Sequence, residues 1–389
     1  MNKIIKLLSI QFSLIFLCFV TTNFISYIYA QEFEFNAEDY FFSEQIPSNS
    51  KDTVTPTDSE DTDKEPCIDG KIESSSAVLS ATSDHSYTSN FHFVKKFDQN
   101  GNLVDSWGTV GPNDGQFIHA HGITIDSQDN VYVSDAEKCN IQKFDQNGNF
   151  ITKWGTKGVG PSKFMQPESM AVDSADNIYV AEYARKNIQK FDGDGNFITM
   201  WGQEGNSQGE FKKPWGVALD SKNNVYVSDQ TLPRVQKFDS DGNFIDMWGK
   251  EGHKKGQFVH QHDITVDSND HVYVTDGREN SRVAVFDTNG KFLKHWGSEG
   301  KDEGQFIENH GIVVDSEGNV YVVDTRNVRV QKFDIDGNFI TMWGSLGCKD
   351  NQFLIPHDIA MDSKGYIYVT DSGKSHFRAN YDCSNNKVS

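Results

Sequence analysis

Hydrophobic and polar positions alternate in short runs that recur with a fixed period along most of the chain. The repeating unit is 47 or 48 residues long and occurs six times. Its copies carry close variants of the segments G-I-x-x-D-S, V-Y-V-x-D and R-V-Q-K-F-D, and each copy has a final segment that ends in Trp-Gly. Period-two alternation bounded by Gly, Asn and Asp is typical of β-strands joined by tight turns. Each unit is therefore predicted to form four short strands.

The strands of a unit differ in how apolar they are. The G-I-x-x-D segment is uniformly apolar, which predicts an innermost strand enclosed on both faces. The segment 131–133 and its copies alternate instead, which predicts a half-buried second strand. Asn-Gly and Asp-Gly pairs separate the third and fourth segments, and these pairs favour tight hairpin turns because both central residues need positive φ.

A four-strand unit with a period of about 40–50 residues indicates a β-propeller, because each twisted sheet can bury its faces only against the next sheet. Six units predict an all-β, six-bladed β-propeller whose ring is closed by strands from both ends of the chain. Residues 91–97 and 376–381 both resemble a third strand, and either segment could complete the last blade.

The motifs G-Q-F, x-G-I-x-x-D-S, V-Y-V-x-D and R-V-Q-K-F-D-x-D-G-N-F resemble those of the NHL-repeat family over residues 91–382. The resemblance implies a six-bladed propeller of NHL type. It does not imply one activity, because such propellers serve as ligand-binding platforms, RNA-binding modules and enzymes.

The chain ahead of the repeats has a different composition. Residues 1–30 carry Lys3 and Lys6 before an apolar run and end in Ala30, which is typical of a cleaved signal peptide. An uncleaved membrane anchor is the alternative, because the segment is long enough to span a bilayer. Residues 31–90 contain 14 acidic residues and 3 lysines, which favours a disordered acidic linker before a propeller over residues 91–389. The protein is therefore predicted to be secreted or held at the cell surface.

Charge and cysteine content narrow the function classes. The formal net charge is −20, and residues 91–389 hold 42 acidic and 31 basic residues. Such a surface repels a phosphate backbone, so nucleic-acid binding is disfavoured.

Beyond the signal peptide, Cys67, Cys139, Cys348 and Cys383 show no C-x-x-C spacing, so one or two disulfides are possible but their pairing cannot be deduced.

One position of the repeat, two residues before the first apolar residue of the innermost strand, carries histidine in four copies. The six residues at this position, here called the ring residues, are His121, Glu168, Trp215, His262, His310 and His357. The connection into each innermost strand of a propeller opens beside the central channel, so the ring residues are predicted to surround one axis. Their imidazole and carboxylate groups could hold zinc or another divalent transition metal. Alternatively, they fill a polar, hydrated channel.

Symmetry suggests which ring residues would act together. A three-ligand site on a six-fold ring favours alternate blades, which gives Glu168, His262 and His357. The other alternate set contains Trp215, whose side chain cannot ligate a metal. His119 and His260, two residues before ring residues, are further candidates for contacts to a metal ligand or to a substrate.

The strand starts around His121, His310 and His357 also resemble the zinc-binding strand starts of peptidyl-α-hydroxyglycine α-amidating lyase, and streptogramin-inactivating lyases use similar His-Gly-Ile sequences. This resemblance implies a zinc ion bound by three histidines from alternate blades. Two of those ligand positions correspond to His121 and His310, and the third corresponds to Trp215.

The same resemblance implies further site residues. A catalytic tyrosine is implied in the loop after a second strand, where Tyr183 lies, and Arg185 is an arginine in the same loop. Calcium is implied at Asp263 and Asp358, which directly follow two ring histidines.

No Walker or H-E-x-x-H motif occurs, so nucleotide-binding and helical metalloprotease functions have no support. The sequence predicts an exported propeller that binds a small molecule, peptide or protein on its histidine-rich face, together with a metal ion. A metal-dependent lyase in which the metal polarises an oxygen and Tyr183 accepts a proton is one alternative. A structural surface scaffold is the other, and contact with a membrane is expected only if the N-terminal segment stays uncleaved.

Overall fold

The computed structural model describes residues 93–347, 349 and 351–372, together with the short strands Tyr381–Asp382 and Lys387–Val388. The predicted signal peptide and linker lie outside the described residues, as do Cys67, Cys348 and Cys383. Cys139 is buried and disulfide-bonded. No helix within the described ranges has the length and apolar character needed to cross a membrane.

Six antiparallel sheets of four strands, numbered here as blades 1 to 6, make up the fold. The inner strands are Ala120–Ile125, Pro167–Val172, Pro214–Leu219, Gln261–Val266, Asn309–Val314 and Pro356–Met361. The second strands are Val131–Asp135, Ile178–Glu182, Val225–Asp229, Val272–Asp276, Val320–Asp324 and Ile367–Asp371. The third strands are Asn140–Phe144, Asn187–Phe191, Val235–Phe238, Arg282–Phe286, Arg329–Phe333 and Val94–Phe97. The outer strands are Phe150–Trp154, Phe197–Trp201, Phe244–Trp248, Phe292–Trp296, Phe339–Trp343 and Leu103–Trp107.

Smaller elements connect the blades. Two-residue parallel pairs join Thr109–Val110 to Gln116–Phe117 and Thr156–Lys157 to Lys163–Phe164. A 3₁₀ helix spans Thr325–Asn327. The predicted all-β, six-bladed propeller is confirmed.

Blade 6 is completed by the beginning of the described chain. Val94–Phe97 pairs antiparallel with Ile367–Asp371, and Leu103–Trp107 pairs with Val94–Phe97 on its other side. The predicted closure of the ring by both ends of the chain is therefore confirmed. Of the two candidate third strands, the N-terminal one is used, while residues 376–380 lie outside the described residues.

The prediction that the second strand is half-buried is wrong. All five residues of Val131–Asp135 are buried, whereas Phe150–Trp154 alternates between exposed and partly buried positions. The inner strand Ala120–Ile125 is buried over its first four residues, with its last two only partly buried. Each blade packs between two neighbours, so both faces of its central strands are covered and the alternation of residue types no longer separates core from solvent.

Aromatic side chains fill the space between blades. Trp154, at the end of the blade 1 outer strand, contacts Tyr132 of blade 1 and Phe191 of blade 2, with ring centroids 5.9 and 5.8 Å apart. Gly195 has φ of +86°, and a Cβ there would lie 2.6 Å from the Trp154 ring. Only the glycine of this Asp-Gly pair has a positive φ, so the prediction that both central residues adopt one is wrong. Glycine is required both by its backbone conformation and by the close approach of the tryptophan.

A buried polar group repeats at the ends of the blades away from the ring residues. In blade 1, Oδ2 of Asp126 accepts a hydrogen bond from the Tyr132 hydroxyl (2.9 Å) and lies 3.5 Å from Nζ of Lys143. Oδ1 of Asp126 accepts the backbone N–H of Gln128 and Asn130, which closes the turn. Because every buried polar atom of the group gains a partner, its burial is tolerated, and this accounts for the recurrence of D-S-x-x-N-V-Y.

Candidate functional site

Each ring residue is the second residue of an inner strand, not part of the connection that precedes it. In blade 1, Ala120 pairs with Asp135 and Ile123 pairs with Val133, so the two residues between them lie opposite Ser134 alone. Two residues opposite one form a β-bulge, which re-aims side chains and is common beside binding sites. The same register shift occurs in all six blades. The ring residues therefore leave the six sheets at equivalent positions.

Hydroxyl groups opposite the bulges hold the ring residues in place. Ser134 accepts the N–H of Gly122 (2.7 Å) and donates to the carbonyl of Glu168 in blade 2 (2.9 Å). The carbonyls of His121, His262 and His310 accept the corresponding hydrogen bonds from Thr370, Ser228 and Thr275. The backbones of these four ring residues are thus fixed by the preceding blade.

The last residue of each second strand fixes the chain just before the ring residues. Asp135 accepts the N–H groups of Ile118 (2.8 Å) and His119 (3.1 Å). Asp276 does the same for Val259 (2.9 Å) and His260 (3.0 Å). The aspartate of V-Y-V-x-D therefore positions the residue two before the ring residue.

Trp215 crosses the mouth of the channel. Its ring centroid lies 5.2 Å from those of both His121 and His262, 5.8 Å from that of His310 and 5.7 Å from that of Tyr183. These partners belong to blades 1, 4, 5 and 2, whereas Trp215 belongs to blade 3. The indole therefore reaches across the axis around which the other ring residues gather.

Three histidines of blades 1 and 6 form the first cluster. Their ligand atoms, one each from His119, His121 and His357, all lie within 4.8 Å of one another. Nδ1 of His121 is 2.8 Å from Oε2 of Glu168, and Nε2 of His121 is buried without a hydrogen-bond partner. The carboxylate thus favours the tautomer with its proton on Nδ1, which leaves the Nε2 lone pair available as a ligand.

The second cluster comes from blades 4 and 5. His260, His262 and Glu308 also present ligand atoms within 4.8 Å of one another. His310 lies between the two clusters: its ring centroid is 4.0 Å from that of His262, and its Nδ1 is 3.3 Å from Nδ1 of His357.

Burial lowers the pKa of the clustered histidines. The pKa of His119 falls to about 4 and that of His260 to about 3, and the pKa values of His262 and His357 lie well below the ordinary 6.5. Desolvation of the charged imidazolium is the largest cause in each case, and neighbouring histidines and nearby cations add to it. These four rings are neutral at pH 7, which is the form that binds transition metals.

One residue after the ring position, the blades alternate between glycine and larger residues. Ser169, Asp263 and Asp358 occupy blades 2, 4 and 6, and glycine occupies blades 1, 3 and 5. A Cβ at Gly122 would lie 2.2 Å from the carbonyl oxygen of Glu168. The blades therefore approach too closely for a side chain at every position, and glycine in three of them makes room for the aspartates.

Asp263 and Asp358 meet inside the channel. Both are buried, and their carboxyl groups share a hydrogen bond. Burial raises the pKa of both above the ordinary 3.8, because the charged forms lose solvation. The N–H groups of Ile312 and Ile123 donate to Asp263 and Asp358 at 3.2 and 2.9 Å. A divalent cation bound here would take the place of the shared proton, and the calcium site stays a prediction.

The residues predicted to be catalytic lie in one loop of blade 2. Tyr183 is buried against Trp215, and its hydroxyl is 3.4 Å from Oε1 of Gln230. Arg185 is half-buried, and its N–H donates to the Glu182 carboxyl group at 3.4 Å. Tyr183 thus borders the channel mouth, and the catalytic roles of both residues stay predictions.

The structure groups the ring residues differently from the symmetry argument. Across the described residues, the metal-compatible groups join adjacent blades and not alternate ones, because Trp215 occupies the axis. Glu168, predicted as a ligand, belongs to neither group and lies with Oε2 2.8 Å from Nδ1 of His121, so its role as a ligand stays a prediction. Sequence reasoning missed Glu308, although it sits at the same repeat position as His119 and His260, and an alignment at that position identifies it.

The residues of the first cluster could hold a divalent transition metal. Open zinc sites have three protein ligands at about 2.0–2.2 Å and keep one position for water or a ligand. The cluster supplies three imidazoles as possible ligands. Nε2 of His121 has no hydrogen-bond partner, so it is available to bind a metal.

Comparison with known proteins agrees with this architecture. A family model described as "6-bladed beta-propeller" matches residues 123–192 and 258–387. Among solved structures, a streptogramin B lyase is 14% identical, with 72% of this chain and 95% of that chain covered and a TM-score of 0.50. A chain of a nidogen/laminin complex is 14% identical, with 72% and 100% covered and a TM-score of 0.50. A gluconolactonase from Xanthomonas campestris is 13% identical, with 66% and 87% covered and a TM-score of 0.49.

At 14% identity, the likeness to the streptogramin B lyase and to the chain of the nidogen/laminin complex shows the fold alone. No curated protein matches the sequence. The finer assignment to NHL repeats stays a prediction. Because the family model covers more than half of the chain and the six blades are present, the protein belongs to the 6-bladed beta-propeller family.

Proposed function

We propose that this protein is an exported propeller that binds a small molecule, peptide or protein at its channel mouth through a divalent transition metal, with zinc the first choice. His119, His121 and His357 would hold the metal. One observation carries the proposal: ligand atoms of three imidazoles lie within 4.8 Å of one another, and Nε2 of one of these rings, that of His121, is buried and unpartnered.

A buried nitrogen without a partner is costly. Leaving such a group unsatisfied costs about 1–3 kcal/mol, so each one in a folded protein calls for an explanation. Glu168 orients His121 from the other side of the ring, as outer carboxylates do in metal sites. A metal ion would satisfy Nε2 and use this orientation.

The metal would contribute an open coordination position for a ligand atom. Trp215 would form an apolar surface beside it, since the indole contacts His121 directly. An apolar surface next to one polar anchor suits a small molecule or a peptide side chain. The excess of acidic residues argues against a nucleic-acid ligand. Export rests on the sequence of residues 1–30.

Metal content tests the proposal. The whole chain, purified without a polyhistidine tag and equilibrated with zinc, is expected to retain metal after gel filtration, as measured by mass spectrometry. A His121→Ala/His357→Ala variant is expected to lose one equivalent. His295→Ala, an exposed histidine in an outer strand, is the matched control and is expected to lose none. Equal zinc in the double variant and the control would overturn the proposal, and absence of bound metal in all three would leave a scaffold function.

A metal-dependent lyase is the second candidate, and the position of Tyr183 favours it. The phenol is buried against Trp215, at the edge of the mouth where a metal-bound substrate would lie. Tyr183 would then accept the proton that the substrate releases. Turnover of a peptidyl-α-hydroxyglycine is the assay, and Tyr183→Phe is expected to abolish turnover while metal content stays unchanged. No turnover by the metal-loaded protein would leave the binding function.

A further inference from the structure

The second cluster has the donor set of a metal site in its own right. His260 and His262 belong to blade 4, and Glu308 belongs to blade 5. Two imidazoles and one carboxylate are a ligand set that open zinc sites use. None of the three residues belongs to the first cluster.

The hydrogen bonds of His262 and His260 leave a nitrogen of each ring free to bind a metal. Nδ1 of His262 lies 3.2 Å from the carbonyl oxygen of Asn309, which places its proton on Nδ1 and its lone pair on Nε2. Nε2 of His260 is buried without a hydrogen-bond partner. His262 can therefore present Nε2 as a ligand atom, and His260 has a ring nitrogen that no protein group occupies.

Local sequence makes room for these side chains. Gly277 follows the second strand of blade 4, at the position that Tyr183 occupies in blade 2. A Cβ at Gly277 would lie 3.0 Å from Nδ1 of His262, which is tighter than an ordinary contact. Glycine at this position therefore permits the observed orientation of the His262 ring.

Glu308 is held as an ionised carboxylate. Two arginines form ion pairs with this carboxyl group. Nε of Arg326 lies 2.7 Å from Oε2, and Nε of Arg278 lies 3.6 Å from Oε1. Carboxylates that ligate metals are commonly held by outer partners in this way.

His310 connects the two clusters. Its Nδ1 is 3.3 Å from Nδ1 of His357, a member of the first cluster. Its Nε2 is buried and unpartnered, 4.0 Å from Oε1 of Glu308 in the second cluster. His310 is 8% exposed, so an unpartnered polar atom of a buried side chain faces the second cluster.

We propose that His260, His262 and Glu308 form a second site for a divalent transition metal, separated from the first site by His310. The channel mouth would then hold two metal ions, one on each side of His310. The second site uses none of the residues of the first, so each can fail without the other.

Metal stoichiometry is the test, with zinc alone as the probe. The whole chain is expected to bind two equivalents of zinc at saturation, and a His260→Ala/Glu308→Gln variant is expected to bind one. The His121→Ala/His357→Ala variant is also expected to bind one. His295→Ala and Gln166→Ala, the latter at the repeat position of His260 in blade 2, are expected to bind two.

The outcomes separate the two proposals. If the His260→Ala/Glu308→Gln variant binds as much zinc as the unaltered chain, the second site is overturned. If that variant loses zinc while the His121→Ala/His357→Ala variant does not, the second site stands and the first fails. Circular dichroism and thermal unfolding establish that each variant is folded. Should His260→Ala/Glu308→Gln not fold, Glu308→Gln alone carries the test, with loss of one equivalent expected.

Discussion

Thr370 offers the sharpest test of how the fold positions the channel mouth. Its hydroxyl accepts the N–H of Asp358 at 3.0 Å and donates to the carbonyl of His121 at 2.5 Å. Thr370→Val keeps the shape of the side chain and removes the hydroxyl. Blade 5 already carries Val323 at the equivalent position, fully buried, so valine fits this part of the fold.

Two buried hydrogen bonds are lost in this variant. At about 1 kcal/mol for each neutral hydrogen bond, the free energy of unfolding should fall by about 2 kcal/mol. In a domain of this size, 1 kcal/mol shifts the Tm by about 2 °C, so the Tm should fall by about 4 °C. Because the lost bond also held the backbone of His121, zinc affinity is expected to fall by about tenfold, as for other outer partners of metal ligands.

Urea unfolding followed by tryptophan fluorescence measures the stability, and competition with a chelator measures the zinc affinity. The control is Thr109→Val, an exposed threonine for which the change should stay within about 0.5 kcal/mol. If Thr370→Val unfolds at the same urea concentration as Thr109→Val, the hydroxyl bridge does not stabilise the junction between blades 6 and 1. The account of how the ring residues are positioned would then be refuted.

Three further predictions address the closure of the ring and the interior of the channel. Phe97→Ala should lower the free energy of unfolding in urea by about 3–5 kcal/mol, because Phe97 is fully buried against the core of blade 5, whereas Val104→Ala, 51% exposed, should change it by less than about 0.5 kcal/mol. Burial raises the pKa of Asp263 from 3.8 to about 6, so its stabilising contribution is fully present below pH 3.8 and is lost as the pH rises through about 6. Without calcium, the Tm of the unaltered chain should therefore fall as the pH rises through about 6, and the Tm of Asp358→Asn should fall less. At pH 7.5, added calcium should restore the Tm of the unaltered chain but not that of Asp358→Asn. Gly122→Ala places a carbon atom 2.2 Å from a backbone oxygen of blade 2, so thermal unfolding should occur at a lower temperature and zinc binding should weaken.

The sequence contained enough information to predict the fold because every local signal recurs. The Asp-Gly turns, the alternating strands and the terminal tryptophans each appear in register, so a misreading in one copy is corrected by the others. The burial of the second strand escaped prediction for a physical reason. Tyr132 is fully buried between blades, and alternation along one strand says nothing about how many neighbours cover the sheet.

The sequence predicted where the ring residues lie, but not which of them come close enough together to share a metal ion. A shared place in the repeat identified His121 and the other ring residues as neighbours, since equivalent residues of a closed ring face one axis. Which of them come within ligand distance depends on the volumes of all six side chains at once. Trp215 takes the axis, and that displaces the histidines into two groups.

The amino-acid sequence by itself determined the number of blades, the four strands of each and the ring of histidines, because these follow from periodicity and turn chemistry. Tertiary structure alone decided that Val94–Phe97 closes the ring, that Glu168 orients His121 and that Glu308 joins the second cluster. Each of these depends on contacts between residues far apart in the chain. Such contacts are set by the packing of neighbouring blades, which no single repeat specifies.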